Sequence, residues 1–117
     1  MPEPSQRPSL MHVSLVPESP CLFLALSGEL DLSSAGEVPR DDYSARPDLT
    51  MVLIDLGELR FCDLAGLRAL VTLRRIHEAQ GREVAVVRAS SFVWRFMHLC
   101  GVTDRLEVAP PATAAPA

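Results

Sequence analysis

An α/β fold in a single domain is what this sequence predicts, on three observations. Short apolar runs rich in β-formers alternate with segments whose apolar residues recur at helical spacing. Residues that start or stop helices, namely Asp63, Gly81, Ser90 and Gly101, fall between those runs, where one element must give way to the next. The 117 residues are enough to bury one core without disulfide or metal staples, and too few to build two.

Residues 1–9 hold three prolines among polar side chains and read as a disordered N-terminal segment; 10–108 form the domain, and 109–117 an Ala/Pro-rich disordered tail. Met11 to Val16 alternates, and Pro17-Glu18-Ser19-Pro20 turns the chain into the apolar run Cys21 to Leu26, so the two read as a hairpin. Gly28-Glu29-Leu30-Asp31 closes it. Ser33 and Ser34 offer N-caps, and Glu37 stands where a capping box on Ser34 requires it. The helix expected there is interrupted by Pro39, which leaves it short or broken, with Val38, Tyr43 and Leu49 as its apolar anchors.

Met51 to Leu73 is the stretch around which the rest is arranged. Met51 to Ile54 is a nearly continuous apolar run, as expected of a strand buried on both faces, and Asp55 ends it. A turn at Gly57 leads to a Phe61-Cys62-Asp63 rim, and Asp63 is the N-cap of a helix from Leu64 to about Ala79. At roughly 100° per residue, Gly66, Ala69, Leu70, Leu73, Ile76 and His77 share one arc that should pack on a sheet. Leu64, Arg68, Val71, Thr72, Arg75 and Glu78 share the other. Apolar side chains among arginines on a solvent-facing arc suit a partner-binding surface, although scattered surface apolars account for them equally well.

Gly81 stops this helix, Glu83 to Arg88 reads as another buried strand, and Ser90 or Ser91 caps a further helix. In that helix Phe92, Val93, Phe96, Leu99 and Cys100 recur at helical spacing, with Trp94, Arg95 and His98 on other faces. Gly101 ends it, and Val102 to Val108 adds a last short strand or turn.

Composition removes several chemistries. A net charge of -4 argues against nucleic acid as the main partner. All 11 basic residues are arginine, so the chain has no phosphate-loop lysine and no lysine Schiff base. No apolar run approaches the roughly 20 residues of a membrane span. Cys21, Cys62 and Cys100 are odd in number and follow no secretory signal, which suits buried structural thiols in a reducing cytoplasm. His12, His77 and His98 have no metal-binding spacing, and neither a nucleophile elbow nor a dinucleotide glycine pattern occurs. No metal or cofactor is therefore expected. Asp31 and Asp63 both follow strands, and a parallel sheet would bring them to one edge, where α/β proteins place their sites. Acid–base work is one use for them; N-cap and turn duties are the cheaper one.

Four segments together resemble the STAS domains of bacterial anti-sigma factor antagonists: Leu26-Ser27-Gly28-Glu29-Leu30-Asp31, Val52-Leu53-Ile54-Asp55-Leu56, Phe61 through Leu70, and Phe96 through Val102. The resemblance runs from about His12 to Val108. It implies a small mixed β-sheet with helices packed on one side, and binding to an anti-sigma factor that is also a switch kinase. The Leu64 face becomes the docking surface, so the partner-binding residues are Asp31, Asp63, Leu64, Ala65, Leu67, Arg68, Val71 and Arg75. In that family the loop reads Asp-Ser-Ser-Gly or Asp-Ser-Thr-Gly, and the first hydroxyl is phosphorylated to switch binding off. Here the matched positions are Leu64 and Ala65, so neither accepts a phosphate. The short helix after Asp31 is a second departure.

Three functional readings follow. The first is a regulatory protein-binding domain without the phosphorylation switch. The second is the same scaffold repurposed for ligand binding or catalysis in a specialised biosynthetic pathway, with a small molecule near Asp31, Asp63 and Leu64. The third is a scaffold subunit of a stress-signalling or lipid-transport assembly. The chain is expected to lack catalytic activity of its own, and a homodimer remains open.

Overall fold

A computed structural model describes residues 10–111; the expected disordered segment at 1–9 and most of the expected tail lie outside the described residues. The strands are β1 (Met11–Glu18), β2 (Cys21–Leu30), β3 (Met51–Cys62) and β4 (Glu83–Ala89), and the helices are α1 (Leu64–Ala79) and α2 (Ser91–Leu99). They form one mixed four-stranded sheet in the order β1-β2-β3-β4. The β1/β2 hairpin is antiparallel and the other two pairings are parallel.

One face of the sheet carries the core. Leu22, Leu24 and Leu26 of β2, Val52, Ile54 and Leu56 of β3, and Val84 and Val86 of β4 are all buried there, against Leu67, Leu70 and Leu73 of α1 and Val93 and Met97 of α2. Alternate residues point to the other face, which no helix among the described residues covers, and there Phe23 and Val87 stand exposed. Among the described residues the three parallel strands, β2, β3 and β4, are therefore covered on one face only, which corrects the expectation that Met51 to Ile54 is buried on both.

Strand boundaries differ from the sequence reading for identifiable reasons. β2 continues through Gly28, whose φ of +91° and close approach to the Leu10 carbonyl exclude any side chain. β3 does not end at Asp55, and there is no turn at Gly57. Against β2, Ala25 pairs with Asp55 but Ser27 with Glu58, and Gly28 with Leu59 but Glu29 with Phe61. Each step adds one residue to β3, as a β-bulge does. The buried positions run Val52, Ile54, Leu56, then Leu59, then Cys62, so the strand loses its period of two without ending. Gly57 lies under the Arg88 guanidinium, which a Cβ there would displace, and Arg88 pairs with Asp55 (3.1 Å) and Glu58 (3.3 Å).

The helix expected after Ser34 is a single 3-10 turn, Ala35–Glu37, without a side-chain cap. Ser34 is buried and has other partners: its hydroxyl donates to the Glu29 carbonyl (2.9 Å) and accepts from the Asp31 amide (2.9 Å). Residues 38–50 then return to β3 as loop, fastened by Arg82. This arginine, 5 % exposed, donates to the carbonyls of Leu49 (2.7 Å), Asp42 (2.5 Å), Tyr43 (2.6 Å) and Arg46 (3.0 Å). It also lies 3.2 Å from Nδ1 of buried His77. Burial first, and the neighbouring guanidinium second, lower the His77 pKa below its ordinary 6.5.

α2 buries Val93 and Met97, not the broad face expected from Phe92, Leu99 and Cys100. Phe92 is 51 % and Leu99 79 % exposed, and Cys100 is exposed too. A helix of nine residues lying on β3 has only a narrow stripe to bury. Of the cysteines, only Cys62 is fully buried. Val102 to Val108 is turn, not strand, although Val86 exchanges backbone hydrogen bonds with Leu106 (3.2 Å) and Ala109 (3.0 Å).

Candidate functional site

Parallel pairing of Leu30 with Cys62 brings the ends of β2 and β3 side by side, and the two residues that follow them, Asp31 and Asp63, reach the same edge. Asp63 is the N-cap of α1: its Oδ1 accepts from the Gly66 amide at 2.9 Å and its Oδ2 from the Leu32 amide at 3.2 Å. Its own amide donates to the Leu30 carbonyl. One carboxylate thus ties the start of the helix to the loop after β2. Gly66 makes the approach possible, because a Cβ there would stand 2.6 Å from both the Leu30 side chain and its carbonyl oxygen.

Asp31 closes its own turn. Its Oδ1 accepts from the Ser33 hydroxyl (2.6 Å), the Ser33 amide (2.9 Å) and the Ser34 amide (3.2 Å). The Ser33 hydroxyl bond is the main cause holding this carboxyl below its ordinary 3.8. An acid so stabilised in its ionised form is a poor proton donor near neutrality. Both aspartates thus have hydrogen-bonding roles in the architecture. Burial pushes the Cys62 thiol up to about 12, which disqualifies it as a ready nucleophile. Among the described residues no group of three or more His, Cys, Asp or Glu is placed to hold a metal ion.

Around this edge stand apolar side chains that find no cover. Leu32 is 81 %, Leu64 53 % and Phe61 39 % exposed, and Phe61 contacts Phe92 with ring centroids 5.7 Å apart. Asp31, Leu32, Ser33, Phe61 and Asp63 line a shallow, open depression. Beside it, along the solvent face of α1, Leu64, Leu67, Arg68, Val71, Thr72, Arg75 and Val102 line a groove of about 350 Å³.

Seven of the eight residues expected at the partner surface are therefore at least partly open to solvent. Leu64, Arg68 and Arg75 are exposed, and Asp31, Asp63, Ala65 and Val71 are half-buried. Leu67 is the exception: it is 4 % exposed and forms the floor of the groove, because its Cβ leans toward the core-facing arc. The structure adds Leu32, Phe92 and Val102, which the sequence reading left out of the site. Leu32 and Phe92 are apolar residues next to a turn and a helix cap, a placement that can be recognised in a sequence; Val102 reaches the groove only through the fold.

A family model described as "Mlab, STAS domain" matches residues 13–108. Among solved structures, an anti-sigma factor antagonist from Mycobacterium paratuberculosis aligns with a TM-score of 0.70 at 18 % identity, over 97 % of this chain and 93 % of that one. The unphosphorylated anti-sigma factor antagonist SpoIIAA aligns at 0.67 and 20 % identity, over 88 % and 92 %. The murine anion transporter Slc26a9 aligns at 0.62 and 17 % identity, over 82 % of this chain but 17 % of the transporter. Comparison with curated protein sequences gives no significant match.

Proposed function

The chain belongs to the STAS domain family, and from that premise we propose that it is a regulatory protein-binding domain of the anti-sigma factor antagonist kind, without phosphorylation control at position 64. The observation that carries this reading is Leu64. It occupies the first turn of α1, directly after the capping Asp63, and is 53 % exposed at the mouth of the α1 groove. A helix N-terminus favours an added phosphate, yet this side chain offers no hydroxyl. An exposed leucine gains by burial against a partner.

Supporting the binding reading over catalysis, Asp31 and Asp63 already serve turn and cap. The partner expected is an anti-sigma factor or a related switch kinase. Tagged protein purified from its native cells identifies the partner, and titration calorimetry then measures the pair. Val71→Asp, which places a carboxylate in the groove, is expected to weaken binding by about 2–4 kcal/mol if Val71 is a central contact. Unchanged affinity in a folded variant removes this face from the interface.

For the switch, incubation with the cognate kinase and ATP is expected to leave the wild-type loop unmodified by mass spectrometry. Leu64→Ser is expected to gain a phosphate and lose affinity through charge and desolvation. Ser33 and Ser91 are exposed, whereas Ser34 is buried. Phosphate on Ser33 or Ser91 of the wild type that releases the partner would mean control has moved there.

A second reading, a permanent subunit of a larger assembly, draws on the same missing hydroxyl, since a chain without the switch suits constitutive docking. A complex of fixed stoichiometry that survives purification and exchanges no subunits supports this alternative.

A further inference from the structure

Resting on the reading of the α1 groove as a docking surface, we infer that its occupant is an amphipathic helix carrying carboxylates two turns apart along one flank of its apolar stripe. Arg68 and Arg75 are seven residues apart, which places them on one side of α1 about 10.5 Å apart along its axis. Both line the groove, with Leu64 and Val71 beside them, Leu67 beneath, and Val102 on the far wall.

The charges of these arginines are uncommitted. Among the described residues, Arg46, Arg60, Arg74 and Arg88 each lie within 3.6 Å of a carboxylate, and Arg82 is occupied with backbone carbonyls. Arg68 and Arg75 form no such pair, nor do Arg40, Arg95 and Arg105, but of these five only Arg68 and Arg75 line the groove, on a chain whose net charge is -4. An apolar channel with a cationic row along one wall is complementary to an apolar stripe with an anionic row along one side. Such complementarity fixes register and excludes partners of the opposite pattern. The seven-residue spacing repeats the two-turn period of a helix, so a helical occupant can meet both guanidinium groups at once.

The test uses the full chain and two synthetic helical peptides, stapled on their outer face and identical in their leucine stripe. One carries Glu and the other Lys at the two flanking positions, seven residues apart. Fluorescence anisotropy is expected to show the Glu peptide binding about tenfold tighter at low salt, with the ratio shrinking as salt shortens the screening length. In the double variant R68E/R75E the preference reverses. Equal binding of the two peptides by the wild type, or a ratio that R68E/R75E leaves unmoved, overturns the inference.

Val71→Asp separates this from the underlying reading. If it weakens both peptides while the charge variants change nothing, docking in the groove stands and the acidic partner fails. If neither Val71→Asp nor Leu64→Asp weakens either peptide, both fail. A dimer in sedimentation that R68E/R75E dissociates makes the occupant a second copy of this chain and also overturns the inference.

Discussion

The C-terminal end of α1 and its solvent face treat charge in opposite ways. At its C-terminal end Arg82 is buried with His77, and its guanidinium is spent on four backbone carbonyls of the 38–50 loop. Along its solvent face Arg68 and Arg75 are exposed beside exposed or half-buried apolar side chains. The first cation is architecture, because a loop that packs only through Val38, Tyr43 and Leu49 is held by hydrogen bonds as well. The other two are surface. The difference teaches that an arginine's role in this fold is read from its acceptors, not from its neighbours in sequence.

Substitutions can break or sharpen that contrast. The largest effect is expected from Arg82→Met, which leaves the buried Leu49 carbonyl and three half-buried ones without this donor. A loss of about 3–5 kcal/mol in urea denaturation is expected, and a loss below about 1 kcal/mol would show that the loop holds without it. Gly66→Ala comes next. Its methyl group collides with Leu30, and overpacking of this kind costs about 1–3 kcal/mol, measurable by the same denaturation and by a lowered thermal midpoint.

The third effect is a pH dependence at the Arg82 end. The folded pKa of His77 lies below its ordinary 6.5, so the unfolded chain takes up the proton first. Its stabilising contribution is full above about 6.5 and is lost as the pH falls from there through the lowered folded value. The facing Asp41 and Asp42 oppose the shift, and Arg82 reinforces it. Urea midpoints measured between about pH 7.5 and 5 are expected to fall, and His77→Asn is expected to flatten that segment; a wild-type profile already flat there would refute the assignment. The smallest effect is expected at the other end. Leu64→Asp should change stability by no more than about 0.5 kcal/mol, since the side chain is exposed and a carboxylate suits a helix N-terminus. A large loss would mean that Leu64 is part of the core.

The contrast also explains what was legible in the sequence. Asp63 as N-cap, Leu64 to Ala79 as helix, and the meeting of Asp31 with Asp63 at one edge all follow from local signals that tertiary structure left alone. The length of β3 was hidden because its two bulges shift the buried phase from Leu56 to Leu59 and then to Cys62, and a reading based on period two stops at the first shift. The buried face of α2, though not the helix or its Ser90 cap, was hidden because Phe92, Val93, Phe96, Met97 and Leu99 are all apolar, so spacing cannot choose which of them face β3. Arg82 carries no local signal of its role, because its burial depends on carbonyls more than thirty residues earlier. At the site, Leu67 and Val102 needed the fold, the first to be sent to the groove floor and the second to be brought across from another loop.

The split carboxylate of Asp63 has a consequence for motion. Its two oxygens hold the Leu32 amide and the Gly66 amide, in segments more than thirty residues apart in sequence. Neither lip of the apolar rim can swing out without loosening the other, unless that carboxylate rotates away from one amide. The two lips therefore share one carboxylate as well as the bond from the Asp63 amide to the Leu30 carbonyl, so a partner that shifts Leu32 also loads the contact that caps the first turn of α1.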